Sequence, residues 1–288
     1  MTRQFVPPLP QFLVALWVVV SLCVSCYSPH YQRYKTFMEV NAPGKLATAQ
    51  PTSTGIRPEV RFHVRVYADE SYRHGTLRWE AVARRRVDQL STFVRDRFGV
   101  RLACDSVVPW PLDVPQTGNL TDALAALRKL DSGEDVDWVI AFVGPALDDN
   151  FGVADLASKH IIVRPGFWLR ERQTAAEVKN MNSADMELLI RERAEHREAV
   201  IFLRTWATSL GVPTDNEFGS IQAPSYRREV SEFSPASKRA IEVGLRYRFD
   251  WTPSGRKAWR EAMLALIAED PAAFSPAAAD EVRAWSAR

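Results

Sequence analysis

The sequence has few cysteines and almost no excess charge of either sign. The 37 Lys and Arg residues exceed the 35 Asp and Glu residues by 37 − 35 = 2, which leaves no electrostatic argument for binding nucleic acid. Hydrophobic residues make up 46% of the 288 residues. That share is ordinary for a globular protein and predicts a sizeable core.

The apolar run near the N-terminus is shorter than a membrane-spanning helix. Phe12–Val24 is a stretch of thirteen residues without a charge, whereas a spanning helix needs about 20 apolar residues. This length is typical of the core of a signal peptide. Ser25 and then Cys26 follow, and this order resembles the lipobox of bacterial lipoproteins. The resemblance implies a signal peptide over residues 1–25, lipidation of Cys26, and attachment of an exported protein to a membrane of the bacterial cell envelope.

A soluble secreted protein and an uncleaved anchor are the alternatives to this lipid anchor. The three cysteines of the chain are Cys23, Cys26 and Cys104. Removal of the first and lipidation of the second would leave Cys104 alone, which predicts a fold without an intramolecular disulfide. Cys104 lies in the apolar stretch RLACDSVV, so we predict a buried structural thiol rather than a nucleophile.

Motifs that commonly mark catalytic sites are missing from the sequence. It contains no Gly-x-Ser-x-Gly elbow and no glycine-rich phosphate loop. Glu192 and His196 lie four residues apart and share a helix face, but we predict an exposed pair rather than a metal site. The sequence therefore predicts no cofactor and no bound metal. The histidines are His30, His63, His74, His160 and His196.

From residue 59 onwards the hydrophobic pattern predicts alternating strands and helices, whereas residues 26–58 are polar and proline-containing, as in a flexible tether. The predicted strands are Val60–Ala68, Val100–Val108, Val136–Val143, Phe151–Ala157 and His160–Val163. The predicted helices are Leu77–Phe98, Thr121–Leu130, Ala184–Leu210, Pro235–Arg248, Ser254–Glu269 and Pro276–Trp285. This order predicts an α/β domain with a twisted mixed sheet over residues 59–250, followed by a helical extension over residues 251–288.

The end of the long predicted helix has the spacing of a zinc-peptidase motif. Its sequence is FLRTWATSLGVPTD, residues 202–215, and it stops at Gly211 and Pro213. A zinc-peptidase helix carries two histidines one turn apart, with a glutamate beside the first. In the longer pattern H-E-x-x-H-x-x-G-x-x-H/D, a glycine lets the chain return with a third ligand. Alignment on Gly211 replaces the two histidines by Arg204 and Thr208, the glutamate by Thr205, and the third ligand by Thr214, with Asp215 beside it.

The segment SIQAPSY, residues 220–226, resembles the methionine turn of the same enzymes, S-x-M-x-P, with Gln222 in the methionine position. Together with the helix, the glycine and the order of the sheet, it makes the chain resemble a metzincin-type zinc metalloprotease that has lost its zinc-binding motif. The resemblance implies a metzincin-like twisted sheet, a long former active-site helix, no catalytic residue and no zinc. In that family an edge strand holds peptides by strand addition, and the matching Phe151–Ala157 implies a site for a peptide or protein.

The residues at the motif positions cannot perform the chemistry of the family. Arginine stays protonated and cannot bind a metal, and a threonine is not a base near neutral pH. We predict that an Arg204–Asp215 ion pair fills the metal position. Three alternatives remain: an ordinary helix with a glycine stop, an active metalloprotease or other hydrolase that uses unrecognised residues, and a structural envelope lipoprotein that docks through its C-terminal helices.

Overall fold

The structure is a computed structural model, and it describes residues 36, 40–46, 59–112, 119–144, 151–165, 171–172, 183–247 and 252–285. The chain divides into two compact units, Met1–Ala42 and Pro43–Arg288, and the sheet with its helices belongs to the second. The predicted signal peptide, Cys26 and most of the predicted tether lie outside the described residues. Among the described residues, no helix combines the length and the apolar character that a membrane crossing requires.

Five strands form the central sheet of the second unit. The strands are β1 (Val60–Ala68), β2 (Val100–Pro109), β3 (Trp138–Phe142), β4 (Gly152–Ala154) and β5 (His160–Val163). The helices are α1 (Glu70–Gly75), α2 (Trp79–Phe98), α3 (Leu120–Leu130), α4 (Ser183–Ser209), α5 (Pro235–Tyr247), α6 (Pro253–Glu269) and α7 (Ala278–Trp285).

The sheet is mixed, with strand order β2-β1-β3-β5-β4. β1, β2, β3 and β5 run parallel to one another, and β4 joins β5 in the antiparallel direction at one edge. Helices connect β1 to β2 and β2 to β3, whereas the antiparallel strand β4 lies between β3 and β5 in the chain. The prediction of an α/β fold with a mixed sheet is confirmed.

The central strand β3 is covered on both faces of the sheet and is apolar throughout. All five residues of β3 are buried. Trp138, Ile140 and Phe142 face the main core with α2 and α4, whereas Val139 and Ala141 face a second cluster with α3. This alternation follows from the two-residue period of a strand.

The C-terminal helices belong to the main core. Trp259 and Met263 of α6 and Val282 of α7 are buried in the same cluster as Trp206 of α4. Trp259 also meets Trp285 edge-on, with ring centroids 4.7 Å apart. The helices that the sequence predicts as an extension are therefore packed into the domain.

Residues 43–46 of the predicted tether lie against the loop that follows the 220–226 turn. The Gly44 N–H donates to the carbonyl of Arg228 at 2.6 Å, and a Cβ on Gly44 would come within 2.6 Å of the Glu229 carbonyl oxygen. Leu46 packs against the main core. This part of the chain is thus attached to the folded unit.

Two details of the secondary structure differ from the sequence prediction. The predicted strand Phe151–Ala157 is reduced to Gly152–Ala154. A short helix, α1, precedes α2, and its N-terminus is capped by the Asp69 carboxylate, which accepts the Tyr72 N–H at 2.7 Å. Asp69 follows β1 directly, so the residue after the strand has a side chain that favours a helix start.

Candidate functional site

The long helix α4 ends where the motif glycine lies. Gly211 has φ +87°, a left-handed conformation that suits glycine at a helix C-terminus. Its N–H donates to the Thr208 carbonyl at 2.8 Å, and the Val212 N–H donates to the Ala207 carbonyl at 3.2 Å. A Cβ on Gly211 would lie 2.2 Å from Cζ2 of Trp259. Both the backbone conformation and the indole of α6 therefore require glycine here.

The 220–226 turn packs against this helix end through Gln222. The buried Gln222 amide donates from Nε2 to the Val212 carbonyl at 3.0 Å and to the Thr208 hydroxyl at 3.2 Å. The Thr208 hydroxyl in turn donates to the Arg204 carbonyl at 3.1 Å. The residue at the methionine position therefore holds the turn against the second motif position by hydrogen bonds.

Arg204 reaches the same turn with its guanidinium group. Nε donates to the Ile221 carbonyl at 2.9 Å, and Nη1 lies 3.4 Å from the Pro224 carbonyl. Burial lowers the pKa of Arg204 to about 10, partly opposed by the negative charge of Asp215. The structure thus brings Arg204, Thr208 and Gln222 together around one turn.

The predicted Arg204–Asp215 ion pair is wrong, because Asp215 has other partners. Asp215 is fully buried, and its Oδ2 accepts hydrogen bonds from three hydroxyl groups. These belong to Ser220 at 2.6 Å, Ser234 at 2.7 Å and Ser237 at 2.6 Å. Three neutral donors thus stabilise Oδ2 without a cation in contact, whereas Oδ1 is buried and has no hydrogen-bond partner among the described residues. The third motif position, Thr214, is partly exposed and accepts the Ser275 N–H through its carbonyl at 2.9 Å.

The Asp215 cluster joins the turn to helix α5. The Ser220 hydroxyl oxygen accepts the Gln222 and Ser234 N–H groups, each at 3.1 Å. The Ser234 hydroxyl oxygen accepts the Ser237 N–H at 3.0 Å, as an N-cap does. The helix start at Ser234-Pro235 is visible in the sequence. The shared carboxylate is not, because no spacing rule relates Asp215 to serines 5, 19 and 22 residues away.

Thr205 takes the position of the general base and is enclosed. Its hydroxyl donates to the Ile201 carbonyl in the preceding turn at 2.7 Å. The edge strand β4 lies against it, since a Cβ on Gly152 would come within 2.5 Å of the Thr205 Oγ1. The hydroxyl is therefore already bonded and covered by backbone.

A second buried polar group lies two turns earlier on α4. His196 is buried, and its Nδ1 and Nε2 lie 2.8 Å from the Tyr226 hydroxyl and 2.7 Å from the Val230 carbonyl. The carbonyl can only accept, so Nε2 carries the proton and Nδ1 accepts from the tyrosine. Burial lowers the pKa of His196 and raises that of Tyr226.

The prediction of an exposed Glu192–His196 pair is therefore wrong. The periodicity contained the correct answer, because His196 shares its face with Val200, Leu203 and Ala207, all of which are buried. Tyr226, the last residue of the SIQAPSY segment, thus fastens the far end of that segment to the same helix.

The donor set at the motif positions does not fit zinc. Zinc sites use imidazole nitrogens, thiolates or carboxylates. Arg204 offers a protonated guanidinium, and the Thr208 hydroxyl is engaged between a carbonyl and an amide. Within the described ranges, His, Cys, Asp and Glu form no group of three that could hold a metal ion.

Comparison with known proteins adds a distant structural similarity. No protein-family profile and no curated protein sequence matches the chain. The crystal structure of archaemetzincin from Methanopyrus kandleri is similar over 65% of this chain and 96% of its own, with 15% identity and a TM-score of 0.43. A chain in the structure of a chaperone–substrate complex is similar over 68% of this chain and 36% of its own, with 9% identity and a TM-score of 0.42.

An archaemetzincin thus stands among the structures that this chain resembles. Both TM-scores are below 0.5, so the similarity carries no conclusion about activity. Whether the motif side chains are free to hold a metal or to act as a base depends instead on their hydrogen bonds within α4 and to the 220–226 turn.

Proposed function

We propose that this protein is a catalytically inactive, metalloprotease-like lipoprotein that binds an extended peptide or protein segment at the edge of its sheet. One observation supports the proposed loss of catalysis: the side chains at the motif positions are already bonded to, or covered by, other parts of the fold. The Arg204 guanidinium donates to the 220–226 turn, the Thr208 hydroxyl is held by Gln222, and the Thr205 hydroxyl is covered by β4. No motif position offers a metal ligand or a base.

The edge strand β4 supports binding of an extended segment. β4 is last in the strand order and pairs with β5. The Arg164 N–H donates to the Phe151 carbonyl, so by strand alternation the backbone groups of Gly152 and Ala154 point away from β5. Its residues are half-buried. An added strand could pair with these groups.

Substitution of Ala154 by proline should abolish peptide binding. Proline removes the N–H that points outward and leaves the bonds to β5 in place. We expect N-acetylated Val-Ala peptides to bind the full-length protein without being cleaved, as followed by fluorescence anisotropy and mass spectrometry. Ala154→Ser, which keeps the N–H, is the matched control and should bind as the parent does. Cleavage products, or equal binding by Ala154→Pro and Ala154→Ser, would refute the proposal.

The lipid anchor is a separate part of the proposal and rests on the N-terminal sequence. Cys26→Ala should move the protein from the membrane fraction to the soluble fraction in a bacterial host, because the acyl chains that enter the bilayer are lost. Cys23→Ala is the control, since residue 23 belongs to the predicted signal peptide and its loss should leave fractionation unchanged. Membrane retention of Cys26→Ala would favour an uncleaved anchor instead.

A further inference from the structure

Arg204 carries a positive charge whose hydrogen bonding is incomplete. One of its donors makes a well-formed bond, from Nε to the Ile221 carbonyl at 2.9 Å. Nη1 reaches the Pro224 carbonyl only at 3.4 Å, which is long for a hydrogen bond. Nη2 is buried and has no partner among the described residues. A guanidinium removed from water is stable only when its donors and its charge are satisfied.

No anion of the described chain neutralises this charge by contact. Asp215 is the carboxylate that acts on Arg204 electrostatically, but the bonded oxygen of Asp215 is held by three serines. The two carbonyl acceptors of Arg204 are neutral. The guanidinium therefore has no carboxylate in hydrogen-bond contact, the charge of Asp215 opposes its burial only in part, and its Nη2 group keeps donors without a partner among the described residues.

The position of Arg204 makes these donors reachable from one side. Arg204 and Thr208 are partly exposed, whereas Thr205, Trp206 and Ala207 between them are buried. The two exposed positions share one helix face because they lie four residues apart. The carbonyl that Nη1 approaches belongs to Pro224, which is exposed. An incoming acceptor that replaces this long contact would meet Nη1 first and then the unused Nη2.

We propose that Arg204 binds a carboxylate of the peptide ligand. The position that would hold a metal cation in the family that this chain resembles would then bind an anion. A carboxylate matches the two Nη groups as a bidentate partner. This inference rests on the proposed peptide-binding function. If the ligand is an unmodified peptide, the oxyanions that it offers are carboxylates. They come either from the C-terminus or from an acidic side chain.

Four synthetic peptides distinguish the two sources. An N-acetylated Val-Ala peptide is prepared with a free C-terminus and as the amide, and the amide is also prepared with one internal Asp or Asn. Binding to the full-length protein is followed by the Arg204 Nε–Hε resonance in arginine-labelled NMR spectra. We expect a saturable shift with the free acid or with the Asp peptide, and at least about tenfold weaker binding of the uncharged forms, equivalent to ~1.4 kcal/mol.

Variants at residue 204 complete the test. Arg204→Gln should remove the preference for the charged peptide, and Arg204→Lys should retain only part of it, since the bidentate fork is lost. Arg256→Gln, an exposed charge on α6, is the control and should change nothing. The NMR titration of the unmodified protein decides the question even if the Arg204 variants do not fold.

The possible failures of the two proposals are distinguishable. Equal binding of the acid and amide peptides, together with equal binding of the Asp and Asn peptides, would overturn the role of Arg204 and leave strand addition intact. An Arg204 resonance that no charged peptide shifts would also overturn it, and Nη2 would then be satisfied by buried water only. Peptide cleavage that depends on zinc would overturn the proposed function itself.

Discussion

Asp215→Ala is expected to lower the free energy of unfolding by about 3–5 kcal/mol, because it leaves three buried hydroxyl groups without their acceptor. The hydroxyls of Ser220, Ser234 and Ser237 all donate to one carboxylate oxygen. Their rotation toward other acceptors recovers part of the loss. Urea denaturation followed by circular dichroism measures the change.

Two further variants provide reference values for this change in the free energy of unfolding. Asp280→Ala removes an exposed carboxylate, 81% accessible, from a surface pair with Arg283, and should change stability by less than about 0.5 kcal/mol. Ser237→Ala removes one of the three hydroxyl groups and should cost about 1–2 kcal/mol. If Asp215→Ala has the same free energy of unfolding as Asp280→Ala, the carboxylate cluster does not hold the turn and α5 together. If Asp215→Ala cannot be purified folded, Ser237→Ala and Asp280→Ala remain comparable.

Gly211→Ala is expected to destabilise the protein by about 2–5 kcal/mol, the sum of a left-handed backbone strain of ~1–2 kcal/mol and an overpacking cost of ~1–3 kcal/mol. The second part arises because the new methyl group would lie 2.2 Å from Cζ2 of Trp259. The indole is buried in the main core and cannot withdraw without displacing its neighbours. Thermal and urea denaturation measure the effect.

The control for Gly211 is Gly219, where an added Cβ meets no atom within 4 Å. Gly219→Ala should leave stability nearly unchanged. Replacement of Trp259 by Phe in the Gly211→Ala background should recover the overpacking part, which a double-mutant cycle isolates. Equal stability of Gly211→Ala and Gly219→Ala would show that α6 does not close against the end of α4.

The fold was predictable where the signal was periodic. The apolar spacing placed the long helix at residues 184–210, and the structure has it at Ser183–Ser209. The nearly continuous run over residues 136–143 predicted a strand covered on both faces, and β3 is buried throughout. Such patterns are local consequences of burial and need no knowledge of the partner.

The contacts of the site were less predictable, because they join residues that lie apart in sequence. Their opposite charges suggested that Arg204 and Asp215 form a pair. In the structure, Arg204 donates to backbone carbonyls, and the Asp215 carboxylate accepts from serine hydroxyls. Charge alone does not reveal how many neutral donors surround a buried carboxylate. The enclosure of Thr205 by Gly152 depends on where β4 crosses α4, which the sequence does not encode locally.

The zinc content of the purified full-length protein tests the central claim most directly. The protein is incubated with excess zinc, desalted, and measured by elemental analysis, beside a variant that carries Arg204→His, Thr205→Glu, Thr208→His and Thr214→His. A site filled by Arg204, Thr208 and Gln222 predicts substoichiometric zinc in the unmodified protein and a higher content in the variant. One zinc ion per unmodified chain, together with peptide cleavage, would contradict the account.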